Sequence, residues 1–218
     1  MKPLRPIAGM KSNSSGIILN VVEIFKSIQG EGANVGRASV FVRLADCNKS
    51  CWYCDTDWSK GSKMSVSKVL EEVNKLSNPV DFPGTLLIWT GGEPTLQLTD
   101  EILELFDDYY NCIETNGTRP VPSKIKYISC SPKVSPTVLR MNFTRVNEFR
   151  YPIGVGDILP DITELPEADN YFISPLFLGA EKERFQKVSD NIEYAIGLIE
   201  KNPRWRLSVQ LHKLLNVR

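Results

Sequence analysis

The sequence predicts an α/β protein with a mainly parallel β-sheet, arranged as a partial, incomplete TIM-like barrel. Strand-like and helix-like segments alternate along most of the chain, and this alternation is typical of parallel sheets whose strands are joined by helices. The chain has 218 residues, whereas a complete eight-fold β/α barrel typically needs about 250. We therefore expect only part of such a barrel.

Eight segments are predicted to be strands because they are rich in aliphatic, β-branched and aromatic residues. In the first two, aliphatic residues occupy alternating positions, and the segment at 85–90 is almost entirely apolar, as expected for a strand buried on both faces. The predicted strands are 17–25, 38–45, 85–90, 111–115, 125–131, 146–151, 170–174 and 205–211.

Three segments have the apolar spacing of helices. Ser65 is placed to cap the first and Thr99 the second. Asp100 and Glu101 add negative charge at the N-terminus of the second helix, where the helix dipole favours it. The three apolar stripes are Val66, Val69, Leu70, Val73 and Leu76; Ile102, Leu103, Leu105, Phe106 and Tyr109; and Phe185, Val188, Ile192, Ala195, Ile196 and Ile199.

Composition predicts one globular domain over residues 1–218, with residues 1–16 as a flexible leader. Lys plus Arg and Asp plus Glu both number 26, and this balance argues against nucleic-acid or membrane-surface binding, which usually needs a basic excess. No apolar stretch is nearly as long as a membrane span, which needs about 18 apolar residues. The odd number of cysteines, five, does not suit a disulfide framework, so we expect a cytoplasmic protein.

Three cysteines lie in one short loop after the second predicted strand. Cys47, Cys51 and Cys54 are separated by three and two residues, and such a loop can supply three thiolates to one iron–sulfur cluster while leaving one iron open. The alternative is a structural zinc site, which normally needs four protein ligands. The other candidates, Cys112, Cys130 and His212, lie far along the chain. The two cysteines fall inside predicted strands, where a free cysteine behaves as a small buried hydrophobic residue, so we assign them no role. We do not assign His212 as a base.

A second motif follows the third predicted strand. Gly91 and Gly92 precede Glu93 and Pro94, and the two glycines allow the backbone to approach a ligand closely. Alone, this string would indicate only a turn. Following the cysteine loop with a predicted helix between, the combination resembles the radical S-adenosylmethionine (SAM) superfamily. The resemblance implies a radical SAM barrel and a 4Fe–4S cluster whose open iron binds SAM, which is then cleaved to a 5′-deoxyadenosyl radical.

Further strings, in the same order, resemble the 7-carboxy-7-deazaguanine synthase family of queuosine biosynthesis. They are Ser27-Ile-Gln-Gly-Glu-Gly32, Phe41-Val-Arg43-Leu, Cys54-Asp-Thr56, Glu114-Thr-Asn-Gly117, Ser131-Pro-Lys133 and Gln210-Leu-His-Lys213. The resemblance covers almost the whole chain. It implies a Mg²⁺-dependent radical SAM lyase that converts 6-carboxy-5,6,7,8-tetrahydropterin to 7-carboxy-7-deazaguanine and ammonia. The steps implied are hydrogen abstraction from C6, ring contraction and return of the hydrogen.

The same resemblance implies roles for individual residues. Substrate would be bound by Ile28, Gln29, Gly30, Arg43, Thr90 and the terminal carboxylate of Arg218. SAM would be bound by Tyr53, Asp55, Gly92, Glu93, Ser131, Pro132, Lys133, Ser174, Pro175, Leu176 and Phe177. Cys47, Cys51 and Cys54 would hold the cluster, and the Thr56 hydroxyl would bind Mg²⁺. Arg43 suits a carboxylate because its planar guanidinium donates two parallel hydrogen bonds; its alternative role is a surface salt bridge.

The family also implies a homodimer and a reductant such as flavodoxin or ferredoxin. Two alternatives stay open at this stage. One is a glycyl-radical activating enzyme, which has a similar cysteine loop but acts on a partner protein. The other is a non-catalytic zinc or iron–sulfur module. The Gln29-Gly-Glu-Gly32 and Gln210-Leu-His-Lys213 strings favour the synthase over the activating enzyme. Ultraviolet–visible and EPR spectra after anaerobic reconstitution would separate the non-catalytic module.

Overall fold

The computed structural model describes residues 16–177 and 181–217, with the backbone alone for 181–187. Residues 1–15 of the expected leader and Arg218 lie outside the described residues. The strands are β1 (Ile18–Ile28), β2 (Ala38–Leu44), β3 (Ser62–Ser65), β4 (Leu86–Gly91), β5 (Tyr110–Thr115), β6 (Tyr127–Cys130), β7 (Arg145–Ile153), β8 (Glu167–Pro175) and β9 (Trp205–Leu207). The helices are α1 (Val66–Leu76), α2 (Asp100–Glu104), α3 (Pro136–Asn142), α4 (Glu181–Lys201) and α5 (Leu211–Leu215).

The strands form one open sheet in the order β3-β1-β2-β4-β5-β6-β7-β8-β9. From β2 to β9 all neighbours are parallel, whereas β1 pairs antiparallel with both β2 and β3. Because the order of the described strands begins at β3 and ends at β9, the sheet does not close on itself. The predicted α/β class and partial barrel are confirmed.

Helix starts agree with the capping pattern. The Ser65 side chain accepts a hydrogen bond from the Lys68 amide, and the Thr99 side chain accepts one from the Ile102 amide. The second helix is shorter than its apolar stripe suggests, because α2 ends at Glu104 and Phe106 packs from the following turn. Strand β3 and helix α3 were not among the predicted elements.

The predicted strand over 205–211 is wrong in its second half. Strand β9 ends at Leu207, although the Ser208 amide still bonds the Ile173 carbonyl, at 2.9 Å. The chain then leaves the sheet, since the Leu211 amide bonds the Gly30 carbonyl at 3.0 Å and helix α5 begins. A contact between distant parts of the chain thus overrides the alternating pattern.

Two apolar clusters cover the outer face of the sheet, and polar side chains occupy much of the inner face. One cluster joins β2, β4 and β5 to α1 and α2, around Trp89 and Phe106; the other joins β7 and β8 to α3 and α4, around Phe149 and Leu139. Burying both outer surfaces supplies the main apolar stabilisation. None of the described helices is long and apolar enough to span a bilayer.

Candidate active site

A cavity of about 310 Å³ opens inside the partial barrel. Its walls come from the β1–β2 connection, the cysteine loop, the ends of β4 to β8 and the C-terminal segment. 

Most of the residues predicted from the sequence to form the site line this cavity. The eighteen that do are Ile28, Gln29, Gly30, Arg43, Cys47, Cys51, Tyr53, Cys54, Asp55, Thr56, Thr90, Gly92, Ser131, Lys133, Ser174, Pro175, Leu176 and Phe177.

The three loop cysteines carry free thiols and all line this cavity. The loop turns tightly, since the Cys54 amide bonds the Cys51 carbonyl at 3.1 Å. Asn116, at the end of β5, supports the loop by donating from its amide to the Asn48 side chain at 2.9 Å. Cys112 is buried against Phe25, Phe41 and Ile88, and Cys130 is buried in the outer cluster around Phe149. Burial raises the pKa of both thiols.

The donor set fits a 4Fe–4S cluster better than a zinc ion. Among the described residues, no three His, Cys, Asp or Glu side chains are grouped so as to hold a single metal ion. A cubane does not need such convergence, because each thiolate binds a different iron. Three free thiols on one cavity wall, beside open space, therefore suit a cluster with one iron free of protein ligands.

Gly91, the last residue of β4, and Gly92 allow this strand to press against the start of the cysteine loop. A Cβ atom on Gly91, whose φ is +120°, would lie 2.1 Å from the Leu44 carbonyl oxygen; one on Gly92 would lie 1.8 Å from that of Asp46. The backbone continues this contact, since the Glu93 amide bonds the Asp46 carbonyl at 2.8 Å. This close contact of Gly91 and Gly92 with Leu44 and Asp46, called the glycine cradle below, has no room for a side chain and fixes the position of Cys47.

Glu93 does not line the cavity, and this differs from its expected contact with SAM. Its side chain is fully buried, and one carboxylate oxygen accepts from the Thr95 amide and from the Thr95 and Thr115 hydroxyls. The other oxygen accepts from the Asn116 amide at 2.7 Å. Glu93 thus ties the glycine turn to the end of β5. Pro132 is also buried and absent from the lining, between Ser131 and Lys133, which line it.

Polar groups on the opposite wall face the same space. The Ser174 hydroxyl is buried and has no hydrogen-bond partner among the described residues, an arrangement that suits a polar ligand in the cavity. The Lys133 ammonium donates to the Ser131 carbonyl at 3.1 Å and lies 5.5 Å from the Tyr53 ring centre. Burial lowers the pKa of Lys133. These groups would suit the polar and adenine parts of SAM.

Arg43 links the cysteine loop to β1. Its guanidinium donates to Glu23 at 2.9 Å and to the Thr56 hydroxyl at 3.0 Å. It therefore combines a part-buried salt bridge with a place on the cavity wall. Asp55, beside Thr56, pairs with Lys213 of α5. Burial alone would raise the pKa of Asp55, but the charges of Lys213 and Arg43 lower it.

The structure adds a charged network whose roles the sequence did not predict. Arg150, on β7, donates to Glu114 at 2.7 Å and lies 3.1 Å from Glu148 and 3.5 Å from Glu31. Glu114 also accepts from Gln29 at 3.0 Å and from Thr90 at 2.8 Å. The Glu114 string was recognised as a motif, whereas Arg150 and Glu148 stand in an ordinary strand pattern and gave no signal.

The network keeps Glu114 ionised. Burial alone would raise its pKa, but the Arg150 charge and the hydrogen bonds from Arg150, Gln29 and Thr90 outweigh burial and lower the pKa to about 2. The surrounding carboxylates in turn raise the pKa of Arg150. The cavity thus presents an ionised carboxylate beside Gln29 and Thr90, and the Arg43 cation lines the same space.

The C-terminal segment forms the remaining wall, through Gln210, His212 and Lys213. The His212 imidazole packs against Gly30 so closely that a Cβ there would lie 2.0 Å from Nδ1. Burial lowers the pKa of His212 below its ordinary value of 6.5, so the imidazole is neutral at pH 7. The C-terminal segment therefore packs into the site.

Comparisons with known proteins agree with this geometry. Residues 42–149 match the model of the Radical SAM superfamily. The chain is 35% identical over 198 residues to 7-carboxy-7-deazaguanine synthase of Bacteroides thetaiotaomicron, covering 90% of this chain and 97% of that protein. It is 37% identical over 207 residues to the synthase of Haemophilus influenzae, covering 91% and 93%.

The chain belongs to the 7-carboxy-7-deazaguanine synthase family. A third relative, from Neisseria meningitidis, is 35% identical and covers 88% of this chain and 91% of its own. The fold also resembles the crystal structure of QueE from Escherichia coli, with a TM-score of 0.64 at 22% identity, over 91% of this chain and 96% of that one. Membership in this family makes the protein a radical SAM enzyme.

Proposed function

We propose that the protein is a 7-carboxy-7-deazaguanine synthase, a carbon–nitrogen lyase that contracts the ring of 6-carboxy-5,6,7,8-tetrahydropterin and releases ammonia. The observation that carries the proposal is one cavity that holds three free thiols, the Arg43 cation and the Glu114 carboxylate together. An anionic substrate with a hydrogen-bonding heterocycle fits such a pair of opposite charges. The chain covers nearly the full length of the synthases that it resembles.

Cys47, Cys51 and Cys54 would hold the 4Fe–4S cluster, and the glycine cradle under Cys47 would keep that loop in place. Lining residues Gly92, Ser131, Lys133 and 174–177 would hold SAM, with Tyr53 and Asp55 beside its adenosine. Glu93 acts from beneath by fixing the turn that carries Gly92. When bound, the cluster and SAM supply the electron and the hydrogen-abstracting group, which is the hard chemistry of the reaction.

The protein's own residues bind and orient the pterin. Arg43 would form a forked hydrogen bond with the substrate carboxylate, and Ile28, Gln29, Gly30 and Thr90 would contact the ring. Glu114, ionised at neutral pH because its pKa is about 2, would accept hydrogen bonds from the ring N–H groups. With the C-terminal segment above, these contacts exclude water from the substrate.

Mg²⁺ would bind at the Thr56 hydroxyl and at substrate oxygens, keeping water as its other ligands. Thr56 already accepts a hydrogen bond from the Arg43 cation, which disfavours a second cation there. Substrate binding would draw Arg43 to the pterin carboxylate and free the hydroxyl for the metal. The ion would then orient the substrate and polarise its oxygens.

The terminal carboxylate of Arg218 would also contact the pterin, as the family resemblance implies. The protein would work in the cytoplasm as a homodimer, with flavodoxin or ferredoxin as its reductant. These features rest on the family alone.

The test is turnover by protein reconstituted anaerobically with iron and sulfide. It is incubated with SAM, Mg²⁺, a reductant and the carboxypterin, and 7-carboxy-7-deazaguanine is sought by mass spectrometry. Arg43→Met, which keeps an unbranched apolar stem but removes the charged guanidinium, should lose pterin turnover and keep the cluster spectrum. A wild-type protein that binds the cluster and leaves the pterin unchanged would contradict the proposal.

A further inference from the structure

We propose that Glu148 is a positioning residue, whose carboxylate holds the turn at residues 29–34 in the shape that presents Gln29 and Gly30 to the cavity. The inference rests on the proposed function and deepens it, because it explains how the substrate-binding turn keeps its place. Glu148 itself lies behind the turn and is absent from the cavity lining.

Glu148 is a buried carboxylate with donors on both oxygens. Its side chain is 2% exposed. One oxygen accepts from the Ala33 amide at 2.9 Å and from the Tyr127 hydroxyl at 2.8 Å; the other accepts from the Ser129 hydroxyl at 2.7 Å and lies 3.1 Å from Arg150. A buried charge is tolerated when its hydrogen bonds are satisfied in this way. The contact with Ala33 therefore joins the turn to a rigid strand.

Gly32 allows the turn to come this close. Its φ is +72°, and a Cβ atom there would lie 2.2 Å from one carboxylate oxygen of Glu148. The Gly32 amide points the other way and donates to the Ser208 hydroxyl at 2.9 Å. Two adjacent amides are thus held from opposite sides, by a residue of β7 and by one that follows β9.

The Glu148 carboxylate also affects the position of the Gln29 side chain, through Arg150. Arg150 lies between Glu148 and Glu114, and Glu114 accepts from the Gln29 side chain. If the Glu148 charge is removed, Arg150 loses one of its carboxylate neighbours, on the side away from the cavity. The guanidinium is then free to move toward Glu114, which changes the position of Gln29 from its side-chain end as well.

Glu148→Gln changes the charge and the hydrogen-bonding pattern of the side chain and keeps its size nearly constant. A carboxamide has one oxygen and one NH₂ group. The NH₂ group must therefore take the place of one carboxylate oxygen and face the donors that bonded it. If the NH₂ group faces the turn, it meets the Ala33 amide; if it faces inward, it meets Arg150. Either orientation breaks one of the contacts that position the turn, while the volume of the side chain is nearly unchanged.

The experiment compares Glu148→Gln and Ser208→Ala with Tyr127→Phe. The third variant removes a hydrogen bond from the same Glu148 oxygen without touching residues 29–34 in any contact described above. Amide hydrogen exchange is followed in a peptide that covers residues 29–36. Iron content, SAM affinity and the separate KM and kcat values for the carboxypterin are measured on the same reconstituted samples.

Glu148→Gln and Ser208→Ala should each speed exchange in this peptide about tenfold and raise the KM for the pterin about tenfold, as expected for loss of one hydrogen bond of about 1.4 kcal/mol. Iron content and SAM affinity should stay at wild-type values, and Tyr127→Phe should change both quantities less than threefold. A residue needed only for core stability would not produce this selective rise in KM.

Wild-type exchange and an unchanged KM in both variants would overturn the inference. Equal effects of Tyr127→Phe would also overturn it, because the turn contact would then have no special role. If Glu148→Gln fails to fold, Glu148→Asp, which keeps the charge but withdraws the carboxylate from the Ala33 amide, is compared with Tyr127→Phe in its place. A wild-type protein that does not convert the pterin refutes the proposed function instead, while the exchange comparison still tests the turn.

Discussion

Arg43 donates a hydrogen bond to the Thr56 hydroxyl at 3.0 Å, so the two residues expected to bind substrate and metal are bonded to each other. A magnesium ion and a guanidinium repel one another at this distance. Metal binding at Thr56 would therefore require that this hydrogen bond first break. In the proposed reaction, the substrate carboxylate would replace Thr56 as its acceptor.

Thr56→Ala should increase the Mg²⁺ concentration needed for half-maximal turnover, because the protein's hydroxyl ligand is lost. Thr56→Ser keeps the hydroxyl and should restore the wild-type requirement. Mg²⁺ titrations of pterin turnover measure the effect, and the cluster absorbance should be the same in all three proteins. Equal turnover in chelator and in Mg²⁺ would remove the metal from the reaction.

Cys51→Ala should lose the cluster, whereas Cys112→Ala should keep it. Reconstituted wild type should bind about four irons, as one cubane requires. Cys112 is buried among Phe25, Phe41 and Ile88, so its loss should affect thermal stability slightly and leave iron content unchanged. Loss of iron from Cys112→Ala would show that the ligand assignment is wrong.

Gly92→Ala should weaken the hold on the cysteine loop, because the new Cβ would lie 1.8 Å from the Asp46 carbonyl oxygen. We expect lower iron content and weaker SAM binding, measured by iron analysis and titration calorimetry. Gly197→Ala is the matched control: a Cβ on Gly197 meets no atom within 4 Å, and alanine favours a helix by about 1 kcal/mol. A fully loaded Gly92→Ala protein would contradict the role of the cradle.

The lowered pKa of Glu114 predicts a pH dependence of stability. Folding lowers this pKa from its ordinary value of 4.5 to about 2, so the folded state binds fewer protons than the unfolded state in that interval. The stabilisation is complete above pH 4.5 and is lost as the pH falls toward 2. Urea unfolding of the cluster-free protein at several acidic pH values measures it. Glu114→Gln should show a shallower acid loss, and an identical profile would contradict the assignment.

Much of the fold and of the cysteine loop could be predicted because their signals are local. The spacing of Cys47, Cys51 and Cys54, the caps Ser65 and Thr99, and the apolar run of β4 are all visible in short windows of sequence. The partners of Arg150 and Glu148 are not, since the Ala33–Glu148 bond joins residues 115 positions apart.

Two further features could not be read from local patterns, for the same physical reason. Glu93 is withdrawn from the cavity by donors on β5, at Thr115 and Asn116. Leu211 lies outside the sheet because its amide bonds Gly30, which is far away in the sequence. In both cases the deciding hydrogen bond comes from a distant segment that only the assembled sheet brings near.

The stoichiometry of the pterin reaction in reconstituted wild-type protein decides whether this chain is a deazaguanine synthase. Carboxypterin consumed, 7-carboxy-7-deazaguanine formed and ammonia released are quantified together over several turnovers. One deazaguanine and one ammonia should form for each pterin lost. Cleavage of SAM with the pterin recovered intact, or with ammonia absent, would contradict the proposed function.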